Sequence, residues 1–244
     1  MIKKFEGIVL SEVDYKENSK IINILTKDNG VIGVIARGTK QIKNNLSGVT
    51  SKLTYGYFHM NYKESGLSTL IEVEVINKFK NIRKSIDLTT YSLYLTELAS
   101  MVYKHEPNNE IYDLLIASLI KIDELYDYKV ITIILELKLL DYLGIMPVID
   151  SCVSCGSKTD IVTISSYRGG YLCKKCLTTE PICNIKTIKL LRMFYYVDIF
   201  KITKLEITEN IKNELNDFID DYYDRYSGLY LKSKEFLKNL EKLN

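Results

Sequence analysis

The sequence predicts an α+β protein: an N-terminal five-stranded β-barrel, then an all-α domain with a four-cysteine module inserted into it. Three observations carry this. Short runs of β-branched and apolar residues fill the chain up to about residue 80. From Ser85 the hydrophobic spacing changes to a helical period. Cys152, Cys155, Cys173 and Cys176 then form two Cys-x-x-Cys pairs separated by seventeen residues. The domain boundaries expected are 1–80 for the barrel, 81–150 for the first helical part, 151–183 for the cysteine module and 184–244 for the second helical part.

In the first region, strands are expected over 5–13, 20–26 and 31–36, with Asp28, Asn29 and Gly30 forming the turn between the last two. A mixed polar stretch over 39–51 follows. Two further strands, 53–62 and 67–76, flank Lys63, Glu64, Ser65 and Gly66. Five strands with one longer connection after the third is the order of an OB-fold. A small SH3-type barrel is the competitor. Beyond it, Tyr91, Leu95, Leu98 and Val102 recur at helical spacing behind Asp87 as cap, and His105 to Asn108 ends that run. Helices are also expected over 110–125 and 130–143, the latter closed by Gly144 and Pro147. After the cysteine module come 187–200, 208–226 and 233–243.

Length and composition bound the rest. The chain has 244 residues, 46% apolar and 26% charged, which is enough apolar material for a packed core. Three prolines and twelve glycines argue against low complexity. The most apolar segment, 130–143, is interrupted by Glu136, Lys138 and Asp141 and is too short to span a bilayer. Glu6 and Glu12 stand where a signal peptide needs an apolar run. A cytoplasmic protein without membrane attachment is therefore expected, with reduced thiols.

Charge is uneven although the net is only +2. Between Asn29 and Lys63 stand Arg37, Lys40, Lys43, Lys52 and Lys63 with no acidic residue, a pattern that fits a local polyanion site or a solvated loop. Arg37 and Lys40 flank the end of the third strand, where a barrel loop reaches a nucleic-acid backbone, and Lys43 extends the run. In the fourth strand, alternation sets Phe58, Met60 and Tyr62 on one face and Tyr55, Tyr57 and His59 on the other. If the first set fills the barrel, the second is free to stack on bases, to cover the barrel, or to contact the helical domain.

The cysteine spacing is that of a two-knuckle zinc site, in which each Cys-x-x-Cys turn aims two thiolates at one metal. Four thiolates leave no open coordination position, so the expected Zn2+ is structural. The residues between the knuckles, 161–166 and 170–172, fit a short hairpin. Cys183, beyond the second knuckle, reads as a free buried thiol. No phosphate-cradling loop, Walker lysine or His-Glu-x-x-His helix occurs, and His59 and His105 have no partner at catalytic spacing. Asp217, Asp220, Asp221 and Asp224 read as a solvated helix face. A non-enzymatic protein is expected.

With these residues in view, the chain resembles the bacterial RecO recombination mediators over nearly its whole length. The resemblance rests on Glu6 to Leu10, on Ala36, Arg37, Gly38 and Lys40, and on Glu136 to Leu140 with Gly144 and Pro147. It continues through Cys152, Cys155 and Gly156, through Gly169 and Gly170 before Cys173 and Cys176, and through Leu190 to Tyr196. Tyr230 to Ser233 with Phe236 and Leu237 complete it. It implies an OB-fold, a helical domain with an inserted zinc module, and binding to single- and double-stranded DNA. It further implies annealing of complementary strands and partnership with RecR and with the C-terminal tail of the single-strand DNA-binding protein. RecA, which the family helps to load, is an indirect partner, and the implied location is the nucleoid. Arg37 and Lys40 fall on the family's Arg-Gly-x-Arg/Lys pattern, so DNA contact carries to those two, while Lys43 rests on charge and position. The chain departs from the family at Ser51, Lys52 and Leu53, where a Gln-Pro-Phe element is common. An RNA-binding or ribosome-associated barrel with a zinc module is the alternative.

Overall fold

The computed structural model describes residues 1–41 and 45–241, with side chains through Leu237. By its contacts the chain forms two compact units, Met1–Asp123 with Ser233–Asn244, and Glu124–Lys232.

The first unit opens with the barrel. β1 (Ile2–Tyr15), β2 (Ser19–Thr26) and β3 (Gly30–Arg37) make an antiparallel meander, and β4 (Tyr55–Asn61) and β5 (Ser68–Asn77) close it. The order β1-β2-β3-β5-β4 returns to β1, with β3 and β5 in parallel through Val34–Ser68 and Ile35–Thr69. That closed order is the OB-fold, and the SH3-type alternative falls away. The period-two pattern explains the interior: Val9, Ile22, Ile24, Val34, Ala36, Phe58 and Met60 are fully buried in one cluster. Gly7 and Gly56 pair where β1 meets β4. A Cβ on Gly7 would sit 2.7 Å from Ile24 Cγ2, and one on Gly56 would sit 2.5 Å from the Glu74 carbonyl oxygen. The atoms in the way belong to β2 for Gly7 and to β5 for Gly56, so both positions need glycine for these strands to approach.

Two features depart from the expected barrel. The connection after β3 is more than polar loop, because Leu46 is buried in the barrel core and Val49 packs beside it. Burying such a side chain contributes about 1.5–3 kcal/mol. The fourth strand also starts at Tyr55 rather than Leu53, because Leu53 is left-handed with φ of 63°. Its N–H donates to the Val9 carbonyl, and the Val9 N–H donates to the Thr54 carbonyl, both at 3.0 Å. These bonds fasten the strand entry beside the β-bulge that shifts the β1 register between Val9 and Ser11.

α1 (Ile86–His105) is capped by Ser85, whose side-chain oxygen accepts from Leu88 N, while Asp87 lies inside the first turn. α2 (Asn109–Asp123) follows; Asp123 then accepts from the backbone N–H groups of Asn81 and Ile82. α6 (Lys232–Glu241) returns to this unit, with the N–H and hydroxyl of Ser233 both donating to Glu97.

The second unit is built on α3 (Tyr128–Tyr142), capped by Asp127 and closed at Gly144, whose φ is 68°. The expected hairpin is present as β6 (Ile161–Ser165) and β7 (Gly170–Cys173). α4 (Ile185–Tyr196) is shorter than expected. Val197 is extended, and Asp198 accepts from Phe200 N to start one 3-10 turn over Ile199–Lys201. α5 (Glu209–Tyr226) packs on α3, and the buried Tyr223 hydroxyl donates to the Glu136 carbonyl at 2.9 Å. Among the described residues, no helix is long and apolar enough to cross a membrane.

Candidate functional site

Two candidate sites lie in different units. In the barrel, Arg37 is exposed at the end of β3 and faces Ser19 across the β2–β3 pairing. Since Ser19 also pairs with Tyr15, the β1–β2 turn with Lys16 lies beside it. Lys16 has φ of 53°, and its ammonium stands 5.4 Å from the Tyr15 ring centroid. Lys40 is exposed, and its Nζ lies 3.0 Å from an Asp14 carboxylate oxygen. Such a surface pair contributes at most about 1 kcal/mol and leaves the cation available to a stronger anion. Lys43 lies outside the described residues. The structure thus gathers Arg37, Lys40, Lys16 and Tyr15 at one end of the barrel. Lys16 and Tyr15 were not among the sequence candidates, because the strands expected over 5–13 and 20–26 stop short of the turn that carries them.

On the face carrying Tyr55, Tyr57 and His59, Tyr55 is buried while Tyr57 and His59 are half-buried and engaged by local partners. Tyr55 is buried, stacks on Phe79 at 6.1 Å, and donates its hydroxyl to Glu6 at 2.8 Å. Tyr112 of α2 donates to the same Glu6 oxygen at 3.3 Å. Burial first, and then the Glu6 carboxylate, hold both tyrosine hydroxyls well above their ordinary value near 10. Tyr57 lies under the Lys4 ammonium, 4.2 Å from its ring centroid. His59 Nε2 is 2.7 Å from Glu74, whose carboxyl is held below the usual range by hydrogen bonds first from Lys4 and then from His59. On the other face, Phe58 and Met60 fill the barrel and Tyr62 packs against Phe5, as the alternation predicts. Local polar partners, invisible in a period-two pattern, tie down the first face.

In the second unit the four cysteines meet. The Sγ atoms of Cys152, Cys155, Cys173 and Cys176 all lie within 4.8 Å of one another. Cys155 and Cys173 are 3.7 Å apart, too far for a disulfide bond. Four sulfurs at about 2.3 Å from one metal ion span tetrahedral edges of about 3.8 Å, so the cluster fits such an ion. Backbone bonds build the knuckles: Gly156 N–H donates to Cys152 O at 2.8 Å, and Cys176 N–H to Cys173 O at 3.0 Å. A further bond from Lys174 N to Asp160 O joins the second knuckle to the start of β6. The module's own apolar core is small, comprising Cys152, Leu172 and Cys173 with Val153, Ile161 and Cys176 beside them.

Burial raises the Cys152 thiol, but hydrogen bonds from the backbone of Cys173, Cys155 and Ser154 outweigh it and bring it down to about 6. Cys176 is pushed up to about 12, first by the adjacent Cys155 side chain and then by burial. Four sulfurs this close cannot all ionise unless a cation replaces their protons. Cys183 lies outside the cluster. It is half-buried rather than fully buried, with its sulfur 3.3 Å from the Thr163 hydroxyl.

Comparison with known proteins covers both units. The family described as "Recombination protein O N terminal" matches residues 1–79, and "Recombination protein O C terminal" matches residues 83–235. A protein named DNA repair protein RecO from Bacillus subtilis (strain 168) is 39% identical over all of this chain and 96% of its own length. Proteins of the same name from Bacillus pumilus and Listeria innocua are each 37% identical, over 100% and 99% of this chain and 96% of their own lengths. With both terminal regions matched in order along one chain, this protein belongs to the recombination protein O family.

Proposed function

We propose that this protein is a DNA-binding recombination mediator that serves DNA repair without making or breaking covalent bonds. The observation that supports it most is the match to relatives named for DNA repair along the whole chain. In this reading residues 1–80 are the nucleic-acid-binding segment, 81–150 and 184–244 the helical support, and 151–183 the metal module. Arg37 and Lys40 contact phosphates of single- and double-stranded DNA, with Lys43 as a third cation of the same run. Neutralising two backbones at once releases counterions and lowers the repulsion between complementary strands, which favours annealing. The protein works with RecR, engages the C-terminal tail of the single-strand DNA-binding protein, and so helps RecA onto covered strands. It acts in the cytoplasm at the nucleoid.

The metal in this reading is Zn2+, held by Cys152, Cys155, Cys173 and Cys176. When bound it supplies a closed tetrahedral cross-link and no reactive coordination position. The chain's own residues do the rest. The two knuckles orient β6 and β7, and the small core beneath them excludes water.

Equilibrium binding of labelled oligo(dT) and oligo(U) of equal length, across a salt series, tests the reading. Binding to DNA at least as tight as to RNA, with a steep salt slope, supports it. Strong preference for oligo(U) would point instead to a reader of the 2′-hydroxyl and replace it with an RNA-binding function.

A further inference from the structure

The four clustered sulfurs differ in their access to water. Cys152 and Cys173 are 1% and 2% exposed and Cys176 is half-buried, but Cys155 is exposed. Its neighbours in the first knuckle, Ser154 and Gly156, are exposed as well. A thiolate within reach of solvent is the one an oxidant meets first. The partner for a second step is close and needs no solvent access of its own: Cys173 Sγ stands 3.7 Å from Cys155 Sγ.

Much of the surrounding structure leans on this cluster. The apolar core under the knuckles is made largely of the ligands themselves, Cys152, Cys173 and Cys176, with Leu172, Val153 and Ile161. A module so small has little to hold it together once ligands are lost. Its hydrogen bonds also reach outward. Val153 N–H donates to Tyr171 O at 2.8 Å, Cys183 N–H donates to Val162 O at 3.1 Å, and the Tyr171 hydroxyl donates to the Ile188 carbonyl on α4. An opened module therefore loosens the seating of α4 as well.

We infer that Cys155 is the oxidation-sensitive corner of a redox switch, and that its disulfide with Cys173 opens the metal site. The oxidant is hydrogen peroxide. The Cys155 thiolate attacks one peroxide oxygen; the O–O bond breaks, hydroxide leaves, and Cys155 becomes a sulfenic acid. The Cys173 thiolate then attacks the Cys155 sulfur; the S–S bond forms, the S–O bond breaks, and a second hydroxide leaves. Together the two thiolates give up two electrons, and the peroxide takes both. Cys152 and Cys176 are left, two ligands where a closed tetrahedral site needs four. The inference rests on the Zn2+ reading of the cluster and is independent of the nucleic-acid reading of the barrel.

The test treats the zinc-loaded full chain with hydrogen peroxide. It reads zinc passed to a colorimetric chelator, disulfides mapped by mass spectrometry, and trypsin cleavage at Lys158, Arg168, Lys174 and Lys175, all exposed but for the zinc-held fold around them. Zinc release should accompany a Cys155–Cys173 disulfide and faster cleavage at those residues, and a phosphine reductant with added Zn2+ should reverse all three. Cys155→His keeps a metal donor at that corner without a thiolate, so it should bind Zn2+ and lose it to peroxide at least roughly tenfold more slowly. Should that protein not hold metal, differential alkylation of the unsubstituted chain after brief exposure should show Cys155 oxidised before Cys152. Cys183→Ser, outside the cluster, should release zinc at the unsubstituted rate. Zinc retained under peroxide, a first disulfide lacking Cys155, or undiminished release from Cys155→His would each overturn the inference and leave the Zn2+ reading standing. A chain purified without chelator that carries no Zn2+ would overturn that reading, and the inference with it.

Discussion

The Val148 carbonyl oxygen lies 2.1 Å from the point that a Cβ on residue 170 would occupy, so the strand bridge between Val148 and Gly170 requires glycine. Two backbone bonds complete the bridge, Val148 N–H to Gly169 O at 2.9 Å and Tyr171 N–H to Val148 O at 2.8 Å. Through them the segment that leaves α3 is stitched to the metal module. Gly170→Ala should therefore cost about 2 kcal/mol or more, because the atom in the way is backbone and cannot swing aside. Thermal unfolding should show the loss, and the cysteines should react faster with a thiol reagent. Unchanged melting would mean the bridge is not needed.

Metal content follows from the thiol cluster. Protein purified without chelator should carry one Zn2+ per chain, and Cys152→Ser with Cys155→Ser should abolish it. The same change should lower thermal stability much more than it lowers DNA affinity, because the module has little apolar core of its own. Full stability without metal would contradict a structural role.

At the barrel end, Arg37→Ala with Lys40→Ala should weaken binding to oligo(dT) and flatten the log–log salt slope by roughly 0.7 per lost phosphate contact. Asp14→Asn should act the other way, since it releases Lys40 from its partner 3.0 Å away and removes a repelling charge. The two changes are read in one salt titration. No change in slope in either protein would remove this end of the barrel from the DNA contact.

Alkaline pH should unfold the protein through its buried tyrosines. Tyr112 is held well above the ordinary tyrosine value of 10.0, by burial first and then by the charge on Glu6. Below pH 10 the hydroxyl is neutral in both folded and unfolded chains, so it gives no pH dependence. Above that, the unfolded chain loses its proton first, and stability falls as pH rises. Tyr112→Phe should flatten this alkaline decline while leaving one donor fewer on Glu6. An identical pH profile from 9 to 11 in both proteins would contradict the assignment.

Legibility in the sequence followed how local each signal is. The five strands were readable from β-branched runs and turn residues, while their order, left open between OB and SH3-type barrels, came from the pairing itself; the meeting of four sulfurs was readable from knuckle spacing. Leu46 was missed because a lone leucine in a polar stretch has no period to reveal that it plugs the barrel. Leu53 broke the fourth strand through a left-handed backbone, which no propensity for leucine predicts. Ser85 rather than Asp87 caps α1, a shift of two residues between equally good capping types. Of the three roles left open for Tyr55, the structure selects contact with the helices, which alternation could not decide because Glu6 is 49 residues from Tyr55 and Tyr112 is 106 residues from Glu6. Tertiary polar partners of that kind leave no trace in alternation.

The most direct test of the mediator reading is annealing of complementary oligonucleotides coated beforehand with the cognate single-strand DNA-binding protein, measured without ATP. The account predicts that this protein accelerates pairing of the coated strands, and that the Arg37→Ala, Lys40→Ala protein does so less. Pairing no faster than in its absence, from protein that binds the bare strands normally, would contradict it.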